Sequence, residues 1–372
     1  MSLPPAERVP FRAEHIGSLL RPKTLLAARD AGLEGEPLRE LEDAHIRDAI
    51  RMQEALGLQC VTDGEFRRES WRLGFVQKVE GFALAAAVGD VDLQRDDAGN
   101  VARIGSAPLA VSRVRRTGPI VADEAAFALA HARGTVKTTI PAPSYLHYPR
   151  GSACVDARAY PDIEAFFDDV VAIYAEELRA LHAAGGRYLQ FDEVALTVLG
   201  DAAIRDAVRA RGDDPARLVD LYIGLVNRIA RACPAGLALG VHMCRGNAMG
   251  KWMASGGYEP IAEKAFNLLE VDAFLLEYDT ARAGDFSPLR FMPKGKRVVL
   301  GLVSTKTPRL ESKVELKRRI AEAARYVPAE RLALSPQCGF ASHRRGTALT
   351  AADQEAKLRL VVQTAAEVWG TG

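Results

Sequence analysis

Residues 237–247 read Leu-Ala-Leu-Gly-Val-His-Met-Cys-Arg-Gly-Asn. The first five are small or apolar, as in a strand buried on both faces, and the run then ends on an imidazole, a thiol, a guanidinium and an amide. A buried strand that carries its chemistry only at its carboxyl end is the unit from which parallel α/β sheets build active sites.

Outward from that stretch the same unit recurs. Short apolar or β-branched runs at 11–15, 58–62, 135–140, 187–191, 271–276, 297–302 and 331–334 join 237–241 to give eight strand candidates. Amphipathic helices are expected between them at 37–56, 162–184, 214–232, 258–269, 312–326 and 351–369. In the second of these Phe166, Val170, Ile173, Tyr174, Leu178 and Leu181 form one stripe. Ser312-x-x-Glu315 and Thr350-x-x-Asp353 have capping-box spacing, and Gly57, Gly185 and Gly370 fall where helices should stop. Eight strands alternating with helices predict an α/β fold, a (β/α)8 TIM barrel. No G-x-G-x-x-G follows the first strand, which sets the open dinucleotide-binding sheet aside. One interval, about 74–134, is too long for a plain βα unit. Its charged turn QRDDAGN predicts a β-hairpin inserted after strand 2, with Val79–Leu93 pairing with Val101–Val111. No linker or repeat divides the chain, so 1–372 is expected to be a single catalytic domain.

With 49 basic and 48 acidic residues the chain has no global field to attract nucleic acid or an anionic membrane, and a small-molecule substrate is expected instead. No apolar signal region or membrane-spanning stretch is seen, and five irregularly spaced cysteines do not suit a disulfide framework. A cytoplasmic enzyme is therefore expected. Homo-oligomerisation is compatible with this composition.

The chemistry follows the strand ends: His15-Ile16-Gly17-Ser18 after the first, Glu65 after the second, Asp192-Glu193 after the fourth, Glu277 after the sixth and Cys338 after the eighth. His242, Cys244, Glu277 and Cys338 make a nitrogen, sulfur and oxygen set that suits tetrahedral Zn2+. Two thiolates and a carboxylate leave such a site about one unit negative, a poor Lewis acid for water but a centre that keeps a bound thiol nucleophilic. Thiol alkylation fits that balance better than hydrolysis. Simpler readings exist for single residues: His15 could orient its turn, Glu65 and Asp192 could pair with Arg67, Arg68 or Arg245, and Cys60 could be a core residue.

The strings HIGSLLRP (15–22), VTDGEFRRESW (61–71), LQFDE (189–193), HMC (242–244), LEYDTARAGDF (276–286) and LSPQCGFAS (334–342) resemble the catalytic barrel of cobalamin-independent methionine synthase, especially its short single-barrel relatives. The resemblance implies zinc on His242, Cys244, Glu277 and Cys338. It further implies a homocysteine carboxylate at Ile16-Gly17-Ser18, its amino group between Glu65 and Asp192, and Glu193 in the same motif. It implies a methyltransferase making methionine from a small thiol and a methyl donor. Two departures bear on the donor. Residues 141–148 run Pro-Ala-Pro-Ser-Tyr-Leu-His-Tyr where folate users carry Asn-Trp-Ser, and Ser304-Thr305-Lys306 stands where they carry Asp-Ile-His. Methyltetrahydrofolate and a corrinoid both remain open as donor. An alkyl transferase or lyase of the related uroporphyrinogen-decarboxylase-like branch, or a non-catalytic zinc- or thiol-binding protein, is the alternative.

Overall fold

The computed structural model describes residues 8–103 and 106–370. In chain order its strands are β1 (Cys60–Val61), β2 (Val79–Ala85), β3 (Leu93–Arg95), β4 (Val101–Arg103), β5 (Ala107–Arg116), β6 (Thr135–Pro141), β7 (Tyr188–Asp192), β8 (Ala238–Met243), β9 (Ala273–Glu277), β10 (Arg297–Val303) and β11 (Leu332–Pro336). Strands β1 and β6 to β11 form one curled sheet of seven in sequence order, every neighbouring pair parallel. This is an α/β, TIM-barrel-like sheet. Helices α1 (Lys23–Asp30) and α2 (Gly35–Ala55) precede the sheet; parallel neighbours need a crossover, and α3 (Leu73–Val76), α4 (Ala122–His131), α5 (Ile163–Ala183), α6 (Ala195–Val198), α7 (Ala202–Ala210), α8 (Pro215–Arg231), α9 (Glu259–Leu268) and α10 (Lys313–Ala323) lie in those connections, with α11 (Ala351–Trp369) after the last strand. The six-residue stripe of α5 is buried throughout. Inside the curl Phe11, Ile16, Cys60, Tyr188, Ala238, Leu275 and Val299 pack as a separate apolar cluster.

The expected first strand, 11–15, is not a strand. It touches the sheet through one parallel bridge, Ala13 to Leu334, with Glu14 N donating to Leu334 O and Leu334 N to Arg12 O, both at 2.9 Å. On its other side the seam is closed by side chains. The Gln53 amide accepts from Thr62 N and donates to Thr62 O, both at 2.9 Å, taking the hydrogen bonds a strand partner would have made. The buried Lys137 ammonium holds Glu14 at 3.0 Å and also donates to the His15 carbonyl. Strand 2 is correspondingly short, two residues rather than 58–62.

The interval after β1 is more broken than a single hairpin. Strand β2 pairs antiparallel with β5, and β3 with β4, as two separate two-stranded sheets. Between them residues 86–92 leave the ladder because the loop after β6 takes their hydrogen bonds: Val88 N donates to Pro149 O at 2.9 Å, and Tyr148 Oη to Val91 O at 2.7 Å. At the helix ends, Thr350 and Asp353 form a reciprocal capping box, whereas Ser312 caps nothing, since Glu315 is held by Arg318 at 2.7 Å.

Candidate active site and metal centre

The parallel register sets Asp192 beside His242 and Pro141 beside Asp192, so the ends of β6, β7 and β8 meet at one rim. There a cavity of about 990 Å³, counted to its open mouth, is floored by His242, Cys244 and Cys338 and walled by Ile16, Ser18, Glu65 and Asp192.

One ligand atom from each of His242, Cys244 and Cys338 lies within 4.8 Å of the other two, and all three residues are buried. Cys338 Sγ donates to Cys244 Sγ at 3.8 Å. That bond first, and then the adjacent imidazole, hold Cys244 well below its ordinary pKa, while Cys338 is pushed up as the partner that keeps its proton. Burial disfavours the His242 imidazolium, but the Cys244 thiolate, the Asp192 charge and the Leu275 carbonyl together outweigh burial and raise its pKa. His242 Nδ1 lies 3.2 Å from Leu275 O, while Nε2 is buried with no nitrogen or oxygen partner among the described residues. An imidazole nitrogen beside two sulfurs is a donor set that fits a borderline-soft metal.

Glu277, the expected fourth ligand, falls outside that cluster. Its Oε2 accepts from Arg245 N at 2.6 Å, and its Oε1 faces Lys306 Nζ at 3.5 Å.

The acidic wall is built by close approach. Gly17 has φ +151°, and a Cβ there would stand 2.6 Å from Thr139 Cγ2 and 2.9 Å from Glu65 Oε1. Glu65 itself takes φ 58°, a left-handed conformation costly for a non-glycine residue and concentrated at functional sites. Its Oε1 accepts from Thr139 at 2.9 Å, and its buried Oε2 has no hydrogen-bond partner among the described residues. The direct ion pairs of the rim arginines go elsewhere, Arg67 to Asp43 and Arg68 to Glu124 at 2.8 Å, while the Arg245 guanidinium lies over Tyr258; Arg68 and Arg21 still feel the Glu65 charge. Asp192 accepts from Gln190 at 2.7 Å, and burial first, then the Glu65 charge, raise its pKa to about 7. Two buried acids with spare acceptor capacity facing one cavity are a seat for a cation or ammonium.

Two expected residues stand back from the cavity. His15 is buried, bonded through Nε2 to Gln53 at 2.8 Å and held neutral, its pKa lowered to about 3 chiefly by burial. Glu193 accepts from Ser144 at 2.5 Å and from Leu196 N at 2.8 Å, so it ties the β7 end to α6; burial raises it to about 7. Sequence reasoning missed Gln190, which bridges Ile16 O and Asp192 Oδ1, each at 2.7 Å, although a polar residue inside the apolar LQFDE run is its signal. It quoted Asn247 at the strand end without giving it a role; the side chain donates to Thr305 Oγ1 at 2.9 Å and Gly339 O at 3.0 Å. It also missed Asp92 and Gln94, which reach the cavity wall from the segment around β3 and left no motif.

Fold and site together define an α/β enzyme with a sulfur-rich, metal-competent centre at the carboxyl ends of its strands. A family profile described as "Cobalamin-independent synthase, Catalytic domain" matches residues 21–367. The uncharacterized protein YxjH of Bacillus subtilis is 37% identical over 367 residues, covering 97% of this chain and 96% of its own. A methionine synthase of Pyrococcus abyssi is 27% identical over 337 residues, covering 87% of this chain and 85% of its own. A crystal structure from Listeria monocytogenes, provisionally named a vitamin-B12-independent methionine synthase, superposes with TM-score 0.75 at 30% identity over 97% of this chain and 98% of that one. The chain belongs to the cobalamin-independent methionine synthase family and is a methyltransferase of that family.

Proposed function

We propose that the chain is a zinc-dependent thiol methyltransferase whose acceptor is homocysteine and whose product is methionine. The observation that carries this reading is the meeting, in one cavity, of the His242, Cys244 and Cys338 cluster with the Glu65 and Asp192 acids. His242, Cys244 and Cys338 would hold the zinc, which when bound lowers the pKa of an incoming thiol until it is a thiolate at neutral pH. Glu65 and Asp192 hold the amino group, and the Ile16-Gly17-Ser18 turn takes the carboxylate. Gln190 fixes both sides of that seat at once. With acceptor and donor oriented in one cavity, the sulfur–methyl bond forms as the donor–methyl bond breaks, the electron pair leaving with the donor; positioning supplies much of the rate. The donor wall is Trp71 and Tyr145, rings 5.1 Å apart, with Tyr148. It suits a methyl carrier of the folate or corrinoid type. In this reading residues 11–15 are the eighth stave of a closed barrel, the interval 74–134 is its rim insertion, and 1–372 is one catalytic domain acting in a reducing cytosol, where the five cysteines stay free of disulfides.

Zinc-edge X-ray absorption, with and without excess homocysteine, tests it. The sulfur count about zinc is expected to rise from two to three. Two sulfurs in both samples would remove homocysteine as acceptor, and failure to bind zinc at all would overturn the metal chemistry.

A further inference from the structure

The segment around β3 carries a side chain that the reaction above leaves unused. Gln94 on β3 and Asp92 just before it are buried, and both line the cavity together with Trp71 and Tyr145. Gln94 Nε2 donates to Asp92 Oδ1 at 3.3 Å. Only the nitrogen of an amide can donate to a carboxylate, so this bond fixes which way round the amide stands. Gln94 Oε1 is then the end left over, buried and without a hydrogen-bond partner among the described residues. Asp92 is held from its other side, where Oδ2 faces the Arg72 guanidinium at 3.6 Å, and that guanidinium lies 5.7 Å over the Tyr145 ring. The amide is thus joined to the aromatic wall through one ion pair.

The same segment is pinned at both ends to the rim. From the loop after β6, Tyr148 Oη donates to Val91 O at 2.7 Å. From the loop after β8, Trp252 exchanges backbone hydrogen bonds with Arg95 at 2.7 and 2.8 Å, and Lys251 holds Asp96 at 2.7 Å. Since β8 also carries His242, the segment runs from the strand of the metal cluster to the aromatic wall. A buried carbonyl without a partner is costly, and a cavity wall held this firmly keeps one where a bound molecule satisfies it.

We propose that Gln94 is a specificity-determining residue for the methyl donor: its carbonyl accepts an N–H from a carrier packed on Trp71 and Tyr145, and Asp92 is the positioning residue that keeps the carbonyl turned to it. The proposal rests on the methyl-transfer reading above. The N–H it selects is of the amide type, supplied by the amino and lactam edge of a pterin or by a carboxamide side chain of a corrinoid. A carrier without such an N–H leaves Oε1 unpaired and binds more weakly.

The test is calorimetric binding of 5-methyltetrahydrofolate and of methylcobalamin to the full chain in zinc-containing buffer, with no homocysteine present so that no methyl group moves. Each carrier is compared with an analogue whose N–H donors are gone. For the folate these are methyl groups in place of the 2-amino group and of the N3 hydrogen; for the corrinoid it is methylcobyrinic acid, whose carboxylates replace the amides. Wild type is expected to prefer the carrier that it binds over that carrier's analogue by roughly tenfold. Gln94→Met keeps the length of the side chain without its carbonyl, so carrier affinity falls roughly tenfold and the preference disappears. Asp92→Asn keeps an acceptor for Gln94 Nε2 and stays within about threefold of wild type, whereas Asp92→Val releases the amide and behaves as Gln94→Met. A merely structural role for Asp92 would leave the preference for the N–H untouched. Unchanged carrier affinity and preference in Gln94→Met overturn the proposal. So does equal binding of carrier and analogue by wild type, a result that needs no variant to fold. Binding of neither carrier by a chain that still binds homocysteine overturns it as well, and leaves the acceptor half of the reaction standing. Failure of that half is separate: it appears as wild-type protein that holds no zinc or no homocysteine.

Discussion

His242 Nδ1 and the carbonyl oxygen of Leu275, on the adjacent strand β9, are 3.2 Å apart. The carbonyl can only accept, so Nδ1 carries a proton and Nε2 is the nitrogen turned to the two sulfurs, the one a metal would take. The tautomer needed by a metal ligand is thus set by the sheet itself.

Removing one sulfur from that prepared set should be more damaging than losing an outer hydrogen bond, which costs roughly 10–100-fold in metal affinity. Cys338→Ala is expected to lose more than that range in zinc affinity, together with methyl transfer. Chelator competition and turnover on the same preparation check it.

Asp192 should matter to the substrate and not to the metal. Asp192→Asn keeps the acceptor for Gln190 but removes one charge from the ammonium seat, and a hydrogen bond to a charged group is worth about 1.5–3 kcal/mol. Homocysteine affinity is expected to fall roughly 10–100-fold, with zinc content unchanged. Binding of 4-mercaptobutyrate, which has the thiol but no amine, should be nearly unaffected; equal weakening of both ligands would remove the ammonium role.

His147 is buried, bonded to Tyr222 Oη at 2.9 Å, and its pKa is lowered to about 4, chiefly by burial. Below the unfolded value near 6.5 the unfolded chain takes up a proton that the folded chain refuses, so stability is lost as pH falls from about 6.5 toward 4. Each pH unit in that window costs up to about 1.4 kcal/mol through this group. Urea titrations from pH 7 to 4.5 should show wild type losing roughly 1–3 kcal/mol more than His147→Asn. Parallel curves would show that the ring is protonated in the fold.

The two sequence capping boxes should behave differently. Thr350 caps α11 through the Asp353 amide, and Thr350→Ala is expected to cost about 1 kcal/mol in denaturant unfolding. Ser312 makes no side-chain cap bond, so Ser312→Ala should cost no more than a few tenths. Equal costs would contradict the geometry.

Much of this was legible before any coordinates. The periodic stripes put α2, α5, α8, α9 and α11 within two residues of their observed ends, and seven of the eight strand candidates overlap the observed sheet. These features are local: period, breakers and caps act within a few residues of chain. His242 and Cys244 were legible for the same reason, since both follow directly on the apolar run of one strand.

What the local pattern could not carry was competition between distant groups. Residues 11–15 have strand composition, yet the Gln53 amide from α2 occupies the backbone of Thr62 at the seam they would have paired across. Val79–Leu93 has hairpin composition, yet Pro149 and Tyr148 draw its second half away. His15 ends a strand candidate beside the site, yet Gln53 holds it behind the cavity wall. Glu277 ends its strand just where a ligand should, and its Oε1 faces the Lys306 ammonium at 3.5 Å, a partner 29 positions later in the chain that no local pattern announces. The sequence by itself determined which segments alternate and which chemistry arrives at the strand ends. The tertiary structure alone decided which partner each buried hydrogen-bonding or charged group takes, because in a dry interior every such group must be satisfied and the nearest candidate in space wins.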